Sequence, residues 1–412
     1  MGGVNCIFYQ LPTLTSHLTF LGGKMVDFEK FINPDDTRTL LTRMIRSKSL
    51  NPPGDVRECA GIIAEELKAR GLPAEMIEDK PGVANVVSQL NGKENGKTLI
   101  WNGHFDVVTP GEDWETDPFG GEYQDGFIYG RGTSDMKSGV AAMIIALGAL
   151  KKAGSPFKGR IVFQAVGDEE TGSDAGTLCM IRRKIGVGAD FAMVSEPTNL
   201  NVTIGNRGLR WLEVSVKGRA SHAGRPHVGA NAIHAAARII GELERLTFKA
   251  HHPLFEIPHP SLSVTMIQAG SKVNIIPERC SFSIDRRMMP GETSHSVRRE
   301  IEEVLGKCSS DGIHSEVRIT HEGWDPYAID PSSPWVKGLC ETVEAVTGQF
   351  PQIKGKAGCT DASHLYHYGK IPSVCFGPGL EDLAHKANER VALEKVVQAA
   401  KVYALSAVKL LS

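Results

Sequence analysis

Residues 103–139, GHFDVVTPGEDWETDPFGGEYQDGFIYGRGTSDMKSG, decide the fold. The stretch is dense in His, Asp, Glu and Gly where an ordinary domain would place a strand and its crossover helix. An apolar run, Thr98-Leu99-Ile100-Trp101, precedes it and reads as a buried strand; the spacing of Met136, Val140, Met143, Ile144 and Leu147 after it predicts a helix. His104 and Asp106 therefore follow a strand end, and Asp135 opens a helix. In open α/β sheets ligands bind along that edge.

Working outward, the grammar of strand, acidic loop and helix repeats. Arg160 to Val166 runs into Gly167-Asp168-Glu169-Glu170, with Asp174 placed to cap the next helix, and Asp190 to Val194 runs into Ser195-Glu196-Pro197. Upstream, Pro34 opens a short amphipathic helix, and Val56, Ala60, Ile63 and Leu67 mark a second that stops at Gly71. Ala84 to Leu90 is a strand joined to Thr98 by the turn Asn91 to Gly96. Near the end, Pro372 to Phe376 is an apolar strand, His385 follows it, and Glu394 to Leu411 is a closing helix. Buried strands alternating with helices predict a mainly parallel sheet covered on both faces.

From about Gly208 the pattern changes. Trp211–Val216, Leu262–Ile267, Cys280–Met288 and His314–Thr320 alternate apolar with polar, separated by helical patterns at 230–246 and 292–305. In the third strand Cys280, Phe282, Ile284 and Met288 share one face, while Asp285 and Arg287 lie on the other. One-sided strands with two helices form a small α+β sandwich. The expected organisation is α/β: a catalytic domain over 26–206 and 321–412, interrupted by an inserted α+β dimerisation or lid domain at 207–320. Residues 1–25 are an N-terminal extension with no assigned function, lacking the basic and apolar regions of a signal peptide.

Composition narrows the partners. The 412 residues carry 46 Lys and Arg against 48 Asp and Glu, a formal charge of -2, so neither nucleic acid nor an anionic membrane is expected. The 8 cysteines show no metal-finger spacing and suit buried thiols in a reducing, cytoplasmic compartment. No GxSxG and no HExxH occurs, which disfavours a serine hydrolase and a single-zinc protease.

The strand ends gather His104, Asp106, Asp135, Glu169, Glu170, Glu196 and His385. Two imidazoles with several carboxylates suit zinc, with cobalt or manganese as substitutes, and the set is too rich for one ion; the Asp135 carboxylate can bridge two. In His104-Phe105-Asp106 the i, i+2 spacing lets Asp106 take the other ring N–H of His104. In Glu169-Glu170 the neighbours diverge, so one can face metal while the other stays free as a base.

The ordered motifs GHFDVV, WETDPFGG, DGFIYGRGTSDMKSG, GDEETGS, SEPT, VKGRASHAGRPHVGANAI, VNIIPE, GCTDAS and AHKANE resemble those of the dizinc amidohydrolases and exopeptidases. That family includes acetylornithine deacetylase, succinyl-diaminopimelate desuccinylase, aminoacylase and glutamate carboxypeptidase. The resemblance spans Asp27 to the C-terminus. It implies that His104, Asp135 and Glu196 bind one zinc and Asp135, Glu170 and His385 the other, with Glu169 as general base and acid and Asp106 orienting His104. It also implies a cis peptide after Asp135, a homodimer in which His222 reaches across to the oxyanion with Asn274 nearby, and Arg287, Gly358 and Thr360 beside the substrate. His227, His364 and His367 are expected to be surface or structural residues. The implied reaction is amide hydrolysis of a small N-acyl amino acid or short peptide with a free carboxylate.

Overall fold

Thr98–His104 is the strand on which the largest of four sheets is centred, in a computed structural model that describes residues 29–412. The N-terminal extension, residues 1–25, lies outside the described residues. The strand pairs in parallel with Arg160–Val166 on one side and Phe191–Val194 on the other, and Ser373–Cys375 pairs in parallel beyond. Antiparallel strands flank this parallel centre: Val83–Asn91 and Glu75–Lys80 at one edge, Val202–Asn206 and Tyr327–Ala328 at the other. The strands joined by the 91–96 turn are not a hairpin, because Arg160–Val166 lies between them. The fold is mixed α/β with a mainly parallel central sheet.

Alternation along the central strand separates two cores. Leu99 and Trp101 point into a large cluster with the helices Pro34–Arg46, Lys137–Lys152, Pro334–Thr347 and Leu393–Leu410, while Ile100 points to Met136, Ala362 and Leu365 on the opposite face. Lys137–Lys152 is buried on every side from Lys137 to Leu150, so no amphipathic stripe could have described it fully. Its first turn meets the sheet closely: a Cβ on Gly139 would lie 2.3 Å from the Ser195 carbonyl oxygen. Only glycine lets the helix start this near the strand ends.

The second sheet is antiparallel throughout, in the order Ser261–Ala269, Arg279–Met288, Gly208–Lys217, His314–His321. Helices Ala232–Glu244 and Ser294–Lys307 cover one face and bury Leu212, Val214, Phe282, Ile284, Ile301 and Val304 in a core of their own. Arg286 falls on that apolar face; buried, it survives there as an ion pair with Glu292 at 2.6 Å and Glu300 at 3.1 Å. A single residue, Arg207, separates the strand Val202–Asn206 of the first sheet from Gly208–Lys217 of the second. The loop carrying Leu254 and Phe255 returns to the first body, where the Gly355 amide donates to the Leu254 carbonyl at 2.9 Å. Among the described residues the seven cysteines are free, and no helix is long and apolar enough to cross a membrane.

Candidate metal centre

The four parallel strands deliver their carboxyl ends to one place. His104 is the last residue of its strand, Glu169–Thr171 forms a single 3-10 turn just past Val166, Glu196 lies two residues past Val194, and the chain after Cys375 leads to His385. Asp135 enters from the turn before the central helix, and the Asp135–Met136 peptide is cis.

These groups converge. One oxygen of Asp135 lies 3.2 Å from His104 Nε2 and the other 3.5 Å from His385 Nε2, so a single carboxylate faces two imidazoles. Ligand atoms of His104, Asp135 and Glu196 fall within 4.8 Å of one another, as do those of Asp135, Glu170 and His385. Each triad offers one nitrogen and two carboxylates, a donor set that fits a borderline divalent ion, and the shared Asp135 fits a bridge between two. His104 Nδ1 is occupied on the protein side, which leaves Nε2 directed into the cluster.

The acceptor at His104 Nδ1 differs from the sequence expectation. Its nearest partner is the backbone carbonyl of Asp106 at 3.0 Å, with the Asp106 carboxylate at 3.5 Å. That carboxylate is turned to the next loop, where it accepts from the amides of Glu169 and Glu170, each at 3.2 Å, and from Asn51 Nδ2 at 3.0 Å. Asp106 thus ties the imidazole-bearing strand end to the turn that carries both glutamates. Asn51 also donates to Asp168 and Thr171 and belongs to the same brace.

Glu169 is buried and lies outside both triads, 4.0 Å from His104 Nε2. Burial pushes its carboxyl well above the usual range, against the pull of the His104 charge, and burial also raises Glu170. Burial lowers His104, but the Asp106 and Asp135 carboxylates beside it outweigh that and its pKa is raised. Glu170 holds His385 up through their 3.1 Å hydrogen bond.

Two buried groups support the cluster without having been singled out in the sequence. Glu389 accepts from the amides of Gly132 (3.1 Å), Ser134 (2.7 Å) and Asp135 (3.0 Å) and pairs with Arg131 at 2.6 Å. It clamps the loop that presents Asp135. Glu389→Gln leaves Arg131 buried without its counter-charge and is expected to cost about 3–5 kcal/mol in denaturant unfolding. Metal affinity is expected to weaken by about 10–100-fold in chelator competition. The other group is Lys356, whose Nζ donates to Glu196 Oε2 at 2.7 Å with both side chains almost wholly buried.

The remaining candidates are spread further out. Arg287, partly exposed, pairs with Asp285 at 2.8 Å. Arg207, not singled out in the sequence, is buried and donates to the His259 carbonyl and to Ser261, and its Nε has no partner among the described residues. Gly358 lies in the loop beside Lys356. Thr360 is fully buried, and its hydroxyl accepts from the Ala362 amide to cap the helix Asp361–His367. His222 and Asn274 are exposed on the second body: His222 Nδ1 accepts from the Gly224 amide, and the Asn274 carbonyl accepts from Ala223. Neither hydrogen-bonds a residue of the cluster among the described residues. His227 is exposed; His364 is buried against Trp324, and His367 bonds the Pro326 carbonyl.

The chain is similar to several known hydrolases. A succinyl-diaminopimelate desuccinylase of Paracoccus denitrificans (strain Pd 1222) is 31% identical over 379 residues, covering 89% of this chain and 96% of the relative. An N-formyl-4-amino-5-aminomethyl-2-methylpyrimidine deformylase of Bacillus subtilis (strain 168) is 31% identical over 385 residues, covering 85% and 89%. Among solved structures, aminopeptidase PepT from Bacillus cereus ATCC 10987 superimposes with a TM-score of 0.77 at 20% identity, covering 93% of this chain and 100% of that one. The model of Peptidase family M20/M25/M40 matches residues 100–409. With the parallel strand ends, the shared aspartate and these matches in agreement, the chain belongs to Peptidase family M20/M25/M40 and is a metal-dependent hydrolase.

Proposed function

We propose that the protein removes the acyl group from a small N-acyl amine, with an N-acyl amino acid bearing a free carboxylate as the leading substrate class. Two ions, zinc with cobalt or manganese as substitutes, would be held by His104, Asp135 and Glu196 and by Asp135, Glu170 and His385. The observation that carries the reading is Asp135, whose two oxygens each face a different imidazole. The ions would supply Lewis acidity at the scissile carbonyl and a water of lowered pKa.

The chain's own residues do the rest. Glu169, outside both triads yet beside His104, takes the proton of the attacking water and returns it to the leaving amine. Asp106 fixes the Glu169 amide and so sets where that carboxylate points. Arg287 offers a guanidinium to a substrate carboxylate, and Gly358 and Thr360 shape the adjoining wall. Both curated relatives named above are described as removing an acyl group, formyl in one and succinyl in the other, which favours acyl removal over peptide cleavage.

The inserted body, residues 207–320, would act as lid and dimer module. Its strand Ser261–Ala269 is a sheet edge with Met266 and Ile267 exposed, and Val273 in the next loop is fully exposed. An unpaired apolar edge of that kind suits a second copy of the chain. In such a homodimer His222 and Asn274 would enter the partner's site and steady the oxyanion. Mixing His222→Ala with Glu169→Gln subunits is then expected to restore part of the activity that each variant lacks. No recovery after demonstrated subunit exchange would rule out catalysis in trans.

The decisive experiment is a hydrolysis screen of zinc- and cobalt-loaded protein, with metal per chain measured on the same samples. The panel holds N-succinyl-diaminopimelate, N-acetyl-ornithine, N-acyl amino acids, the N-formyl aminomethylpyrimidine and dipeptides. Two ions with one acylated amine far above the rest is the expected result. Two ions with dipeptides foremost would replace the substrate class, and metal-free, inactive protein would remove the mechanism.

A further inference from the structure

We propose that Lys356 is a built-in counter-cation at the triad of His104, Asp135 and Glu196, which stabilises the metal-free cluster and weakens metal binding at that triad. The inference rests on the two-ion reading above and concerns this chain's own residues.

The two triads have equivalent donors but different surroundings. On the outer side, Glu170 faces His385, whose side chain is 53% exposed. On the inner side, Glu196 faces the Lys356 ammonium at 2.7 Å, with side-chain exposures of 4% and 9%. Lys356 is the last residue of the strand Ile353–Lys356, which pairs in parallel with Val202–Asn206, so its backbone is fixed beside Glu196. Asp135, Glu169, Glu170 and Glu196 crowd carboxylates into one buried space. A positive charge beside Glu196 offsets their mutual repulsion when no ion is bound.

The same charge opposes a metal. A carboxylate holds a divalent ion at about 2 Å, so an ion on Glu196 would lie only a few ångströms from the ammonium. In surroundings screened far less than water, that repulsion is large. Either the lysine stem swings away or the ion binds more weakly; both lower affinity at this triad more than at the other, which feels the ammonium only through the shared Asp135. Glu196 is thereby shared between a resident cation and an incoming one.

The test is a chelator-competition titration with Zn2+, with the visible spectrum of the Co2+ form as a second readout, on wild type, Lys356→Met, Lys356→Gln and Lys356→Arg. Wild type is expected to take up two ions with separated affinities. Lys356→Met is expected to tighten the weaker site about tenfold or more, to narrow the gap between the two steps, and to lower the melting temperature of the metal-free protein. Lys356→Arg keeps the charge and is expected to keep the gap; Lys356→Gln serves if the methionine variant fails to fold. An unchanged or loosened weaker site in the neutral variants would overturn the proposal and make Lys356 an anchor that merely orients Glu196. Wild type that takes up no metal would instead sink the two-ion reading, an outcome read before any variant is compared.

Discussion

Glu169→Gln is expected to lower turnover by about 10²–10⁴-fold, the usual worth of a positioned general base and acid, while two ions bind as in the wild type. The amide is close to the carboxylate in size, so the buried pocket is not emptied. It has no basic oxygen to take a proton and none to return. Because Glu169 stands outside both triads, the metal content of the variant is a clean control. A variant that lost metal would show that residues 169 and 170 exchange roles as base and ligand. Substrate saturation adds a further check, since loss confined to kcat places Glu169 in the chemical step.

Asp135→Ala is expected to empty both triads together, taking metal per chain from about two to near zero. It is expected to reduce activity by more than about 10³-fold, because the polarised carbonyl and the low-pKa water are lost at once. Glu196→Ala and His385→Ala each remove a ligand from one triad alone and are expected to leave one ion behind. Metal analysis after gel filtration and circular dichroism on the same samples separates this outcome from unfolding. Equal losses in all three variants would mean that one mixed site, not two sharing Asp135, holds the metal.

The periodic parts of the fold were legible in the sequence because burial repeats along them. Alternation placed the four strands of the second sheet to within a few residues, and the apolar runs before the acidic loops marked the parallel strands that feed the metal centre. What escaped was set by tertiary context. Asp174 was expected to cap a helix, yet that helix starts at Thr177 after Gly176, and Asp174 instead pairs with Arg182 at 2.9 Å. The short strands Glu75–Lys80 and Ile353–Lys356 carry too little alternation to stand out from a loop.

The same limit applies inside the site. Residue types and strand ends located the histidines and carboxylates that the structure brings together, but not the groups that hold them. Asn51 is 55 residues from Asp106, and Lys356 is 160 residues from Glu196. Glu389 stood in a motif that was read for its histidine, although its three amide hydrogen bonds secure the loop of Asp135. A buried lysine in a sequence looks like any surface lysine until the fold removes its water.

The one-residue passage at Arg207 has a mechanical meaning. If the smaller body swings over the larger during turnover, the rotation must be absorbed by the backbone torsions at Arg207 and by the return segment between His321 and Tyr327. The Arg207 amide donates to the carbonyl of Lys356 at 3.1 Å, so one pin of this hinge is fastened to the strand end that carries the inner cation. Phe255 packs against the same strand. Its ring crosses Gly355 so closely that a Cβ there would sit 2.4 Å from a ring carbon, and the missing side chain is what lets the loop of the smaller body lie against the larger one. A methyl group at 355 would push the Phe255 loop off this strand without touching a single ligand.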